Sequence, residues 1–224
     1  RQWSSLHPEF VFLARKFKIA VGATPHDRAA LLWHDMPVEI VKNEAGEVGY
    51  RVYAGGGMGR TPYIALLMKD FVKREDILAY LEAVLRVYNQ DSRRDNIHKQ
   101  RIKILVNAIG VEEMRKRVQR EFEEIKATGT LQLPKEELDR IRAYFAPPPF
   151  ETLPDDEPTS LDPTFKPWHV QNVSKHRQSG YAIATISLKP IGGVPGDCTA
   201  EQLDALADLM DEYGMAEIRV SHEQ

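Results

Sequence analysis

The stretch Arg15-Lys16-Phe17-Lys18-Ile19-Ala20-Val21 alternates apolar with polar or small residues. Alternation with period two marks a half-buried β-strand, whose successive side chains point to opposite faces. Phe17, Ile19 and Val21 are expected to face one way, and Lys16, Lys18 and Ala20 the other. Residues i and i+2 stand about 6.5–7 Å apart on one strand face, so Lys16 and Lys18 put two ammonium groups into one volume. Such a pair holds an anion, or it guards a solvated edge strand against aggregation. Arg15, directly before the pair, adds a third cation.

A second cationic feature follows, Gly55-Gly56-Gly57-Met58-Gly59-Arg60-Thr61. A nucleotide P-loop needs G-x-x-x-x-G-K-[ST]. Here Ala54 stands at the first glycine and Arg60 at the lysine, and the G-x-G-x-x-G fingerprint also fails at Arg60. What remains is a backbone able to approach an anionic ligand and offer it N–H groups, or a tight strand-to-helix turn. Around it, Val38 to Lys42 and Tyr50 to Ala54 read as strands, and Asn43-Glu44-Ala45-Gly46 supplies the turn between them. Ile77, Leu78, Leu81, Val84, Leu85 and Tyr88 form a wide helical stripe. Arg93 to Leu105 reads as a short basic helix, Val111 to Ile125 as another opened after Gly110, and Lys135 to Phe145 as a last one.

Residues 147 to 163 hold Pro147, Pro148, Pro149, Pro154, Pro158 and Pro163 around Asp155-Asp156-Glu157. Proline removes donors and the acids repel one another, so this segment reads as an extended linker. Beyond it a β-α-β unit is expected. Tyr181 to Leu188 is its first strand and Thr199-Ala200-Glu201-Gln202 a capping box. Leu203, Leu206, Met210 and Tyr213 make a buried helix face, Gly214 is the C′ residue, and Ala216 to Ser221 is the returning strand.

The whole chain, 224 residues with 42% hydrophobic and 28% charged content and a formal charge of −3, has the composition of a globular protein with no bulk attraction for nucleic acid or acidic membranes. Arg93, Arg94, Lys99, Arg101 and Lys103 carry no interleaved aromatic residues for stacking on bases. They read as a solvated helix face, with RNA binding a poorly supported alternative. One cysteine, Cys198, rules out an internal disulfide or a protein-ligated iron–sulfur cluster. His26-Asp27 and His34-Asp35 lack metal-ligand spacing and read as turn and surface residues; no residue is expected to ligate a metal. A cytoplasmic location without membrane or nucleic-acid contact follows as the expectation. The ends, Arg1 and Gln224, look cut from something longer.

At these residues the chain resembles the sirohaem-dependent sulfite and nitrite reductases, with most likeness to the haemoprotein (beta) component of assimilatory sulfite reductase. The resemblance lies in Leu13-Ala14-Arg15-Lys16-Phe17-Lys18, Pro25-His26-Asp27-Arg28, Val52 to Thr61, Arg93-Arg94-Asp95-Asn96 and Ile218 to Gln224, in family order. It implies an α+β fold. Residues 1–146 would be a first sirohaem-type (nitrite/sulfite reductase 4Fe-4S-like) domain without cluster cysteines. Residues 147–163 would be the linker, and 164–224 a second ferredoxin-like β-α-β half domain whose pseudo-symmetric partner lies upstream of Arg1.

The resemblance also implies roles. Lys16 and Lys18 match family lysines that face the substrate anion, sulfite or nitrite, and donate protons. Arg15 matches a residue that contacts the cofactor, and Gly55, Gly56, Gly57 and Arg60 would line the sirohaem carboxylates. Sirohaem and a 4Fe-4S cluster would belong to the full-length protein, with a flavoprotein reductase or ferredoxin as electron donor and the remaining domains of the same chain as partners. Two departures stand out. Ala14 replaces the usual proline, and the cluster-binding cysteines are absent. The piece by itself is therefore expected to retain no cofactor and to be inert. A non-catalytic anion-binding or scaffold module is the alternative.

Overall fold

The computed structural model describes residues 2–24, 26–155 and 160–220. It divides into two compact units, Arg1–Leu138 and Asp139–Gln224. In the first, α1 (Gln2–Ser5) precedes four strands, β1 (Ile19–Gly22), β2 (Met36–Lys42), β3 (Val48–Ala54) and β4 (Leu66–Lys73). Helices α2 (Ile77–Asp91), α3 (Ile102–Ile109) and α4 (Val111–Thr128) follow, and α5 (Lys135–Tyr144) spans the division. The strands form one sheet in sequence order, with β1 parallel to β2 and the other pairs antiparallel.

Local chemistry sets these elements. Between β2 and β3 the Asn43 side chain accepts the Glu47 N–H at 2.9 Å, and Gly46 takes φ +80°. That is the conformation only glycine adopts cheaply. Gly110, at φ +84°, ends α3 by donating to the Val106 carbonyl and opens α4 by accepting from the Met114 N–H. One sheet face packs on the helices. Val38, Val52, Ala54, Met68 and Val72 meet Tyr80, Val84, Leu85 and Tyr88 of α2, Ile102 and Val106 of α3, and Met114, Val118 and Phe122 of α4 in one core. The other face is ionic: Arg51 bonds Asp70 at 2.7 Å and Glu39 at 3.3 Å.

The N-terminal segment is fastened to α2. The buried Glu82 accepts from the Trp3 indole N–H at 3.3 Å and pairs with Arg86 at 2.8 Å, and Arg86 also pairs with Glu9. This leads the chain back over the core toward Lys16.

Several elements differ from expectation. β1 starts at Ile19, so Lys16 to Lys18 form an extended lead-in; Lys16 and Lys18 are exposed and Phe17 half-buried, but Val21 is 57% exposed. β4 escaped the sequence reading because bulges shift its register against β3, which breaks the period of two. The glycine run joins β3 to β4, two strands, and not a strand to a helix. Arg93 to Leu105 is not one helix. α2 stops at Ser92, Arg93 pairs with Asp95, Asn96 caps a single 3-10 turn at Ile97–Lys99, and α3 begins at Ile102.

In the second unit, α6 (Lys166–Asn172) leads into a hairpin of β5 (Val173–Lys175) and β6 (Ala182–Ala184), followed by α7 (Ala200–Tyr213). The described linker residues carry neither helix nor strand; Asp156, Glu157 and Pro158, like Pro25, lie outside them. The capping box forms as read, Thr199 N–H to Gln202 at 2.9 Å and Gln202 N–H to Thr199 at 3.3 Å. Gly214 does not take the left-handed turn: its φ is −101°, and Met215 and Ala216 take it at 52° and 54°. Residues 216–220 form no strand, and Ser221 lies outside the described residues. The face expected to be buried is only partly covered: Leu206 and Met210 are half-buried, whereas Leu203 is 55% and Tyr213 71% exposed, as befits a two-stranded hairpin too small to cover a helix. Leu85→Ala, in the first unit's core, is therefore expected to cost about 2–5 kcal/mol in denaturant unfolding, whereas Leu203→Ala changes stability by no more than about 0.5 kcal/mol.

Candidate functional site

The lysine segment and the glycine run meet at Asp35, the residue before β2. Asp35 is 1% exposed. One carboxylate oxygen accepts the Lys18 backbone N–H at 3.1 Å. The other accepts from Arg101, from Nε at 3.1 Å and Nη2 at 2.6 Å. Its backbone carbonyl accepts the Gly55 N–H at 2.9 Å. Lys18 is fixed from the other side too, since its carbonyl accepts the Met36 N–H at 3.1 Å. His34-Asp35, read as a surface pair, thus contains the most buried acid of the site; only its place before an apolar run signalled this. His26-Asp27 does make a turn, with Asp27 accepting the Leu31 N–H at 2.9 Å.

The glycines are held by protein neighbours. A methyl group at Gly56 would stand 2.3 Å from the Leu32 carbonyl oxygen and 2.4 Å from that of His34. At Gly55 it would press Val106 at 3.0 Å, and at Gly57 it would meet Lys103 Cδ at 2.9 Å and Arg101 Nη2 at 3.1 Å. The Gly55 and Gly57 N–H groups are taken by Asp35 and Tyr63, so neither is offered to a ligand. The ligand-facing freedom lies further on. Met58 to Pro62 are exposed, Gly59 opens on free space at φ +97°, and Arg60 sits at this tip.

Arg101 and Lys103, assigned to a solvated helix face by the sequence reading, belong to this site. Lys103 is buried, and its ammonium donates to the carbonyls of Met58 at 2.8 Å and Thr61 at 2.5 Å. Burial pushes its pKa down and the Arg101 charge adds to this, against the pull of Asp35. Arg94 instead reaches the Phe12 carbonyl at 3.1 Å, tying the lead-in segment to the end of α2. Arg15, Lys16, Lys18 and Arg60 are exposed. The structure thus joins the Lys18 segment, the glycine run and Arg101–Lys103 around one buried carboxylate, with a cationic outer surface. Such a surface can hold an oxyanion or a carboxylate by charge-assisted hydrogen bonds.

Two comparisons bear on what this surface serves. The family model described as the nitrite and sulphite reductase 4Fe-4S domain matches residues 1–126, which include every residue of this site. The chain belongs to the nitrite and sulphite reductase family. Residues 176–224 match the nitrite/sulfite reductase ferredoxin-like half domain. The sulfite reductase [NADPH] hemoprotein beta-component of Shewanella woodyi is 34% identical over 115 residues, 49% of this chain and 20% of that protein. The sulfite reductase [ferredoxin] of Synechococcus elongatus is 33% identical over 118 residues, 50% of this chain and 19% of that protein. The chain spans about a fifth of the length of these curated relatives. Among solved structures, the Mycobacterium tuberculosis NirA protein aligns with a TM-score of 0.48 at 24% identity, over 52% of this chain and 21% of that one.

The family's cluster does not fit the residues here. Cys198 is the one cysteine, and among the described residues no group of three His, Cys, Asp or Glu could hold a metal ion. A carboxylate-bearing tetrapyrrole does fit in chemical type, since the exposed basic side chains and the open tip at Gly59 can meet anionic groups. Among the described residues no helix is long and apolar enough to cross a membrane.

Tyr88 ties the site to the core. Its hydroxyl donates to the Gln100 carbonyl at 2.9 Å, one residue before Arg101. Its ring lies 5.3 Å from that of Phe17. Burial, and then the Asp35 charge, push its pKa up to about 12. A raised phenol stabilises the fold fully below its ordinary pKa of 10.0, and that stability is lost as pH rises through about 12. Urea unfolding of the wild-type chain should therefore weaken across that window. Tyr88→Phe should flatten the fall while costing about 1 kcal/mol at neutral pH. At the glycines, Gly56→Ala is expected to lower the melting temperature far more than Arg60→Ala, which alters only an exposed tip; melts of the two variants compare them directly.

Proposed function

We propose that this chain supplies the cationic half of the active site of a sulfite reductase haemoprotein. The observation that carries the reading is the placement of Lys16 and Lys18, both exposed, on a segment clamped to β2 beside the glycine run, within the part matched by the family. Sulfite and nitrite are small anions whose oxygens leave as water, so their reduction needs both a positive field and a source of protons. Two ammonium groups hold the anion, offset charge that develops on it, and give up protons to departing oxygens. Arg15 and Arg60 hold carboxylates at the edge of the cofactor, and Lys103 keeps the tip that carries Arg60 in shape through the Met58 and Thr61 carbonyls.

Sirohaem, when bound, would supply the redox-active iron, with the electrons coming from the donor; a 4Fe-4S cluster would need cysteines beyond the single Cys198 of this chain. With this reading go the spans 1–146 for the sirohaem-type domain and 164–224 for the half domain. The relatives' names print NADPH and ferredoxin as reductants, and a flavoprotein reductase or ferredoxin is the donor that goes with this reading. Sulfite is the first choice of substrate because the relatives named above are sulfite reductases; nitrite is the runner-up. The single cysteine favours a second reading, a non-catalytic anion-binding module, for any natural form that lacks the cluster domain.

Lys16→Ala and Lys18→Ala in the full-length protein are expected to lower turnover of sulfite by about a hundredfold or more. Both sites are exposed, so stability should move by no more than about 0.5 kcal/mol. Steady-state rates beside thermal melts test this, and unchanged turnover in both variants removes the reading. Comparing the sulfite and nitrite rates of the same preparations decides between the substrates.

A further inference from the structure

We infer that Asp35 is a positioning residue for the anion site: it touches no ligand, and it sets where the Lys18 ammonium and the Arg101 guanidinium stand. The inference rests on the anion-site reading above. Both carboxylate oxygens are committed inward, one to the Lys18 backbone N–H at 3.1 Å and one to Arg101 at 2.6 Å. At 1% exposure neither is offered to solvent. A strand ladder would ordinarily give the Lys18 N–H a carbonyl partner; here a side chain does that work, just before β1 begins. With the Lys18 carbonyl held by Met36 N–H, the peptide units on both sides of its Cα are fixed, and so is the direction in which its side chain leaves the backbone. The same residue receives the Gly55 N–H on its own carbonyl. Asp35 therefore sets the register between the lysine segment and the glycine run.

Charge alone argues the opposite effect. A carboxylate beneath an anion site repels the anion, so removing its charge should tighten binding. Positioning predicts that removing it weakens binding. The two accounts differ in sign, which makes the role testable without cofactor or turnover.

The experiment titrates the 224-residue chain with sulfite, followed by NMR shifts of the Lys16 and Lys18 side chains and the Gly57–Thr61 amides. It compares wild type, Asp35→Asn, Lys18→Ala and the double variant. Asp35→Asn is expected to weaken sulfite binding about tenfold, the scale of one lost charge-assisted contact. In the Lys18→Ala background the same substitution should cost much less, because the group it places is gone. Binding by Asp35→Asn that equals or exceeds wild type, or an equal loss in both backgrounds, overturns the inference. Unchanged affinity in Lys18→Ala alone overturns the anion-site reading itself, and the Asp35→Asn arm distinguishes the two failures. Where Asp35→Asn does not fold, Asp35→Glu takes its place. It keeps the charge and moves the carboxylate by one methylene, so affinity equal to wild type again overturns the inference.

Discussion

Burying a carboxylate is costly unless its oxygens are hydrogen-bonded and its charge is met. Asp35 meets both conditions, through the Lys18 N–H and the Arg101 guanidinium, and in doing so it joins three stretches far apart in sequence. The lead-in to β1, the glycine run after β3 and the start of α3 all meet at this carboxylate, and Lys103 adds a second link between the last two. The rest of the first unit supports that junction. The sheet supplies Met36 and Gly55 at matched heights, α2 supplies Tyr88 beneath Phe17 and Gln100, and the fastened N-terminal segment delivers the chain to Arg15 from the correct side.

The glycine run shows how one sequence feature is shared between folding and function. Three successive positions without side chains look like a surface for a ligand. In the fold each faces a different protein neighbour, and the exposed part begins only at Met58. Lys103 then closes the tip from below. Its ammonium replaces water on two carbonyls, and burial shifts its proton affinity down. The cations at the rim are in water, and those beneath it hold the backbone.

Strong periodicity was legible in the sequence and interrupted periodicity was not. The stripe from Ile77 to Tyr88, the Asn43–Gly46 turn and the Thr199 capping box all form, because each depends on neighbours within one turn. β4 was missed since its bulges move alternate residues off one face, and the helix expected over Arg93–Leu105 fails since Arg93 and Asn96 find partners two residues away. Lys16 and Lys18 announced themselves by spacing. Asp35, Arg101 and Lys103 did not, because their partners lie between about 17 and 66 residues away. The second unit's expected returning strand, Ala216 to Ser221, does not form over residues 216–220; β6 pairs instead with β5.

The packing around Gly55, Gly56 and Gly57 also bears on how such a site can diverge. Each of the three is closed to a side chain by a different partner: Val106, two backbone carbonyls, and the Arg101–Lys103 pair. No single compensating change could release all of them, and the carbonyls at Gly56 cannot be substituted at all. Variation in ligand preference is thereby pushed out to Met58, Arg60, Thr61 and Pro62, where side chains reach solvent without disturbing the floor. A lineage exploring new anions, or a library seeking them, has those positions to work with while the three glycines stay fixed beneath.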